Sequence, residues 1–262
     1  MALRATARRH FAEALLTAET SRSAIPLLTD EQPDLTVADA YRIQLDTLLL
    51  RRRAGERRAG WKVGCTSVAT RSELGIDEPI SGYVLASAVW PEDEAVPLGR
   101  FIAPGLEPEI AVVLGRDVAG PRVTPADVLR ATDGVTAALE VVDSRFGIWK
   151  CGAVDAVADN AFAAGVVLAG ALTGVSGLDL RLEGVVVEHN GRIIATAAGA
   201  AALGHPVNAV VWLANHLATL GSGLKAGDVV LTGSLTRILR PQAGDTVHAA
   251  FTRVGSVGVR FL

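Results

Sequence analysis

The sequence is short of cysteine and aromatic residues, shows no excess of charge of one sign, and carries no long apolar run. Each shortage excludes something. Two cysteines in 262 residues, Cys65 and Cys151, cannot build a disulfide framework, and neither sits in a CxxC pair. A reduced cytoplasm is the expected setting. With aromatics at only 5% of a chain that is 50% hydrophobic, a sizeable core must come mainly from Ala, Val and Leu. The 25 basic and 28 acidic side chains leave a formal charge of -3, which argues against nucleic acid or an anionic membrane as partner. The one basic cluster, "RRRAGERR" (51–58), reads as a solvated helix end. The longest apolar run, "AFAAGVVLAGALTG" (161–174), is too short and glycine-rich to span a bilayer. The N-terminal "MALRATARRHFAEALL" lacks an uninterrupted apolar region and a cleavage site of the secretory kind.

What is present divides the chain near residue 58. Residues 6–22 read as an amphipathic helix with Phe11, Leu15 and Ala18 on one stripe. A second helix is expected after Thr36 as N-cap. Asp39 lies in its first turn, Val37, Tyr41, Leu45 and Leu48 form its stripe, and Gly55 follows its end. A helical segment 1–58 and a β-rich catalytic domain 59–262 follow from this reading. Strand-like runs then dominate: 61–64, 83–89, 109–114, 135–143, 163–169, 180–188, 192–198, 228–232, 246–251 and 255–261. Asn190-Gly191 between two of them is a strong hairpin signal. Two helices interrupt the strands, one capped by Thr124 with Pro125 at its first position, the other over about 206–220. Strands and helices do not alternate regularly, so the fold class is α+β with antiparallel pairs, not a doubly wound parallel sheet.

Three carboxylates stand where a strand should be apolar. In "GLEPEIAVVLG" (105–115), Glu107 and Glu109 are two residues apart and share a face. In "GVTAALEVVDSRF" (134–146), Glu140 sits mid-strand. Isolated buried carboxylates cost several kcal/mol or take up a proton. A shared hard cation, Mg²⁺ or Mn²⁺, compensates all three and leaves sites open for a bidentate substrate. The competing expectation is pairing with arginines or an exposed sheet face.

In "GWKVGCTS" (60–67), Lys62 lies between Trp61 and Val63 beside two glycines. It is either a salt-bridge partner or a base of depressed pKa. Asp159 and Asn160 in "VADN", and Thr232 and Ser234 around Gly233 in "LTGSLT", are turn formers or ligands. Gly233 there opens backbone amides to an anion. His205 reads as a cap or a packed histidine. "GSGLKAGD" (221–228) lacks the strand–loop–helix context of a phosphate loop, which removes nucleotide binding.

Together "GWKVGCTS", "EPEIAVVLGRD", "ALEVVDSRF", "VADNA", "GAAALGHPVNAVVWLAN" and "AGDVVLTGSL" resemble one group. It is the 2-keto-4-pentenoate hydratase / 4-oxalocrotonate decarboxylase group of the fumarylacetoacetate hydrolase superfamily. The resemblance runs in order from about residue 36 to the C-terminus. It implies a mixed β-sandwich or β-roll domain with a helical N-terminal part, often oligomeric. It also implies Mg²⁺ or Mn²⁺ on Glu107, Glu109 and Glu140, with Lys62 as catalytic lysine. Asn160, Thr232 and Ser234 are the candidates for substrate binding.

The expected reaction is hydration of 2-hydroxypenta-2,4-dienoate, or a substituted analogue, to a 4-hydroxy-2-oxo acid. Alternatives are decarboxylation of 2-oxohex-3-enedioate, a carbon–carbon hydrolase or other small 2-oxo acid lyase, and a non-catalytic assembly partner of the pathway decarboxylase. One departure bears on the choice: in "GIDEPISG" (75–82) the residue after the proline is Ile80, where hydratases of the group carry an acid.

Overall fold

The structure is a computed structural model. It describes residues 3–92 and 94–262, apart from the side chains of residues 73 and 74, so the first two residues of the expected helical segment lie outside it. The helical part comprises α1 (Ala5–Ser21), α2 (Leu28–Glu31) and α3 (Val37–Arg53). The Thr36 hydroxyl accepts from Asp39 N, the capping bond expected from the sequence. The stripe of α3 differs from expectation. Val37 is exposed, and Ala40, Tyr41, Ile43, Gln44, Thr47 and Leu48 are buried. The face is wider because α3 has neighbours on two sides. Gln44 is fully buried because its amide donates to Ser81 O at 2.8 Å and Val157 O at 2.9 Å. Arg51 is not a solvated helix end either. It is largely buried and pairs with Glu19 and Glu56.

The strands follow as β1 (Arg58–Gly64), β2 (Ile80–Leu85), β3 (Val89–Pro91), β4 (Pro104–Leu114), β5 (Thr132–Asp143), β6 (Ala163–Leu168), β7 (Gly184–His189), β8 (Arg192–Ala198), β9 (Val229–Leu231), β10 (Thr246–Phe251) and β11 (Ser256–Arg260). Between them lie α4 (Val68–Leu74), α5 (Pro125–Ala131), α6 (Ala153–Ala158) and α7 (Pro206–Thr219). Of these, α4 and α6 are absent from the sequence reading. The expected strand 83–89 is interrupted by a 3-10 turn at Ala86–Ala88. The expected 180–188 begins only at Gly184, because Glu183 turns inward and accepts from Val254 N at 2.9 Å.

A seven-stranded mixed sheet runs β2-β1-β9-β4-β5-β6-β3, parallel at β1/β9 and β3/β6 and antiparallel elsewhere. A four-stranded antiparallel sheet runs β11-β10-β7-β8. The β7–β8 hairpin turns on Asn190 and Gly191, both at positive φ as a type I′ turn requires. The main core joins the two sheets, with Leu106, Leu139 and Val141 in one cluster with Val187, Val247 and Val257, and α7 adds Val210, Leu213 and Leu217. A second core joins Phe11, Leu15 and Ile43 of the helical part to Ile80, Phe146, Ala156 and Val157. Helix α6 therefore links the N-terminal helices to the strand that starts at Ile80. Among the described residues, no helix is long and apolar enough to cross a membrane.

Candidate metal centre and active site

The site is set by strand register. In the antiparallel β4–β5 pair, Glu107 lies directly opposite Glu140 and Glu109 opposite Ala138. The two-residue period puts all three carboxylates on one face. Ala138, fully buried and small, leaves room for the Glu109 side chain across from it. Leu106 and Ile110, on the opposite face of β4, enter the main core, so the carboxylate face cannot slip without burying charge there. One oxygen from each of Glu107, Glu109 and Glu140 lies within 4.8 Å of the other two.

Lys62 completes the cluster from β1. Its Nζ is 3.2 Å from Glu140 Oε1 and donates to Ala161 O at 3.0 Å. Burial alone would push this ammonium down; Glu140, Glu107 and Glu109 outweigh it and hold the group up at about 12. In the metal-free protein the group is thus an ammonium, not the depressed lysine considered from the sequence. Burial is also the main cause that pushes the carboxyls up. Glu140 reaches about 7 despite Lys62. Glu109 goes well above the usual range, driven further by Glu140 and Glu107. Glu107 is raised too, against the pull of Lys62, Arg240 and Ser234.

Glu109 has one orienting partner, Gly233 N, which donates to Oε2 at 2.7 Å. Gly233 sits at φ +107°, and a Cβ there would come within 2.3 Å of Thr66, so only glycine serves. The anion that this turn's amide meets is Glu109 itself. Glu109 Oε1 and both Glu140 oxygens remain buried without a hydrogen-bond partner. Orphaned, oxygen-only and convergent, these groups fit a hard divalent cation, which would turn three repelling charges into ligands.

The crowding gives a pH signature. Glu140 moves from 4.5 to about 7 in the folded, metal-free protein. The folded state therefore holds this proton more tightly than the unfolded state. Its stabilising contribution is full below the unfolded value and is lost as pH climbs through the folded one. Asp159, paired with Arg145 and raised to about 7 mainly by burial, acts in the same direction. Metal-free protein should melt lower at about pH 8 than at about pH 5.5. The stabilisation by Mn²⁺ should be larger at the higher pH, because protons no longer compete for Glu109 and Glu140. Thermal melts with and without Mn²⁺ at both pH values separate the metal-linked part from that of Asp159. A metal shift independent of pH would contradict the assignment.

A cavity of about 830 Å³ opens over the cluster, with Lys62 and Glu107 in its wall beside Ile80 and Ser234. Of the side chains expected to meet substrate, only Ser234 reaches it, beside Glu107. Thr232 is fully buried and donates to Ile110 O at 2.8 Å. The Asn160 amide is engaged with the backbone of Tyr83. His205 caps α7, accepting from Val207 N at 3.1 Å. Missed from the sequence are the groups at the cavity mouth. Arg240 lies 3.9 Å over the Trp149 ring, Phe162 packs on Trp149 at 5.1 Å, and Arg237 lines the same cavity. Among the described residues neither arginine has a carboxylate partner in an ion pair. Their only sequence signal was two arginines three apart after the Gly-Ser turn, in "GSLTRILR".

Comparison with known proteins agrees with this geometry. Residues 64–261 match the family model described as fumarylacetoacetate (FAA) hydrolase C-terminal. A 2-keto-4-pentenoate hydratase of Paraburkholderia xenovorans (strain LB400) is 40% identical over 97% of this chain and 94% of its own. A 4-oxalocrotonate decarboxylase of Pseudomonas putida is 36% identical over 96% and 95%. The solved 4-oxalocrotonate decarboxylase from Pseudomonas putida G7, complexed with magnesium and adipate, superposes with a TM-score of 0.97 at 34% identity, covering 99% of each chain. With the domain model, the fold and near full-length identity in agreement, this chain belongs to the fumarylacetoacetate hydrolase family.

Proposed function

We propose that this protein is a divalent-metal-dependent hydratase. It adds water to 2-hydroxypenta-2,4-dienoate or a substituted analogue and yields a 4-hydroxy-2-oxo acid. The observation that carries the reading is the convergence of Glu107, Glu109 and Glu140, with three of their buried oxygens lacking a hydrogen-bond partner, beside Lys62 and a cavity that Lys62 and Glu107 line. Relatives named as hydratases at 40% identity support the choice of reaction. Bound Mg²⁺ or Mn²⁺ would act as a Lewis acid on the carboxylate and 2-oxygen end of the substrate.

This chain's residues do the rest. Glu107, Glu109 and Glu140 hold the ion, and Gly233 N keeps Glu109 in orientation. Lys62, an ammonium in the metal-free protein, supplies the proton that C5 takes up as the double bonds move into conjugation with the C2 carbonyl, and the proton that the 2-hydroxyl gives up as that carbonyl forms restores the ammonium. Water then adds across C3 and C4, its oxygen at C4 and a hydrogen at C3. Incubation with Mn²⁺ and 2-hydroxypenta-2,4-dienoate should give a product heavier by one water, and a chelator should abolish it. Intact substrate under both conditions would overturn the reading.

A second reading, decarboxylation of a 2-oxo dicarboxylic acid, is favoured by two features. Ile80, buried in the cavity wall, puts an alkyl group where a water-orienting acid would stand. Arg237 and Arg240 at the mouth suit a second carboxylate. Ile80→Asp is expected to raise the ratio of hydration to decarboxylation about tenfold. An unchanged ratio, measured on the dienoate and on 2-oxohex-3-enedioate, would remove position 80 from the choice.

A further inference from the structure

Beside Lys62 the backbone does something that side chains of L configuration resist. Asn160, Ala161 and Phe162, three successive non-glycine residues after α6, carry φ values of +55°, +50° and +62°. Such a run persists only where its surroundings over-determine it. Ala161 is buried in the second core and Phe162 N donates to Asp159 O at 2.8 Å, but the side chain that ties the turn to β2 is one amide. Asn160 Oδ1 accepts from Tyr83 N at 2.8 Å, and its Nδ2 donates to Tyr83 O at 2.9 Å. The side chain thereby stands in for a strand neighbour of β2. The residue before Tyr83 is Gly82, which pairs with Lys62 across β1 and β2. A Cβ on Gly82 would lie 2.2 Å from Asn160 O, so the approach depends on glycine there.

The turn ends in a carbonyl aimed at the site: Ala161 O accepts from Lys62 Nζ at 3.0 Å. An ammonium has three hydrogens. One is donated to Ala161 O, the ammonium lies 3.2 Å from Glu140 Oε1 as an ion pair, and the same side chain lines the cavity. A lysine on four rotatable bonds would otherwise sample many directions.

We propose that Asn160 and Gly82 are positioning residues for Lys62. The Asn160 clamp on the Tyr83 backbone holds the left-handed turn, and the turn presents the Ala161 carbonyl that fixes the ammonium. The proposal rests on the reading of Lys62 as proton donor for its catalytic consequence, but the clamp can be tested without turnover.

The chain has three lysines, Lys62, Lys150 and Lys225, and the last two are exposed. Acetylation at Lys62, followed by peptide mass against the other two, therefore reports how firmly its amine is held. Asn160→Gly accepts the left-handed backbone and lacks the clamp. The variant should raise relative acetylation of Lys62 about tenfold and lower kcat about 10- to 100-fold. Its KM and Mn²⁺ affinity should stay within about twofold of wild type. The control is Asn215→Ala. Asn215 clamps the Val123 backbone in the same bidentate way, at 2.8 and 3.2 Å, on α7 outside the cavity. Its loss should lower thermal stability without moving Lys62 acetylation. Should Asn160→Gly fail to fold, Asn160→Asp keeps the acceptor for Tyr83 N, loses the donor to Tyr83 O, and is read in the same assays with the same expectation.

An Asn160 variant that melts lower yet keeps wild-type Lys62 acetylation and kcat would overturn the proposal. So would one that loses Mn²⁺ binding together with activity, or an Asn215 variant that exposes Lys62 equally. If the wild-type protein turns over neither acid, the assigned reaction fails. The acetylation result still decides the positioning claim.

Discussion

Replacing Lys62 with methionine is expected to lower turnover about 10²- to 10⁴-fold, the range a positioned proton donor contributes. Mn²⁺ should bind at least as tightly as before. Both halves follow from the geometry. Lys62 Nζ is the only cation in contact with Glu140 among the described residues, and it competes with a metal for the same negative charge. Methionine keeps the length of the chain and removes the competitor. The metal-free protein should lose stability near neutral pH, since removing one partner of a buried pair costs about 3–5 kcal/mol less whatever proton uptake by the carboxyls returns. Turnover and a Mn²⁺ titration on the same preparation check this. Loss of metal binding in parallel with activity would mean that Lys62 serves the integrity of the cluster and not the substrate.

Replacing Glu109 with glutamine should have opposite effects on stability and function. The metal-free protein is expected to gain about 1–2 kcal/mol at pH 8, and its Tm should rise by about 2–4 °C per kcal/mol for a chain of this size. Affinity for Mn²⁺ should fall at least about 100-fold, beyond what loss of a supporting hydrogen bond costs. Activity should fall with it. Glu109 is pushed up by burial first and then by Glu140 and Glu107, so its charge is a burden on the empty fold. Glutamine keeps the oxygen that accepts from Gly233 N and can donate toward Glu140. A chain that gives up stability to keep these acids together is keeping a function. A drop in Tm with an unchanged metal shift would instead make the cluster an ordinary ion-pair network around Lys62.

Much of this site was legible before any coordinates. Glu107, Glu109 and Glu140 stood out because strand periodicity is strict and acids inside apolar strands are costly. Lys62 stood out for the same reason. The Thr36 and Thr124 caps, the Asn190-Gly191 turn and the helix α7 are local chemistry, and they appear where the residues put them. What could not be read was long-range. The pairing of Glu107 with Glu140 depends on a register between strands that no local pattern encodes. Asn160 was noticed, but its partner is the backbone 77 residues earlier, so a clamp looked like a ligand. Helix α6 has six residues, too few to display a helical period, and its buried Asp155 is held by Thr29 from α2, whose hydroxyl donates at 2.6 Å. Arg51 looked like surface charge until Glu19 and Glu56 were seen beside it. Arg237 and Arg240 gave no sign of facing a cavity, because exposure on a loop is not periodic.

The central claim is that Glu107, Glu109 and Glu140 together hold one divalent ion at the base of the cavity. The most direct measurement is anomalous diffraction from crystals of this protein soaked in Mn²⁺. A single strong peak within about 2.0–2.3 Å of one oxygen from each of the three glutamates, with remaining positions open toward the cavity, is the predicted result. No peak there, or a peak bound elsewhere while Lys62 keeps its contact with Glu140, would contradict it.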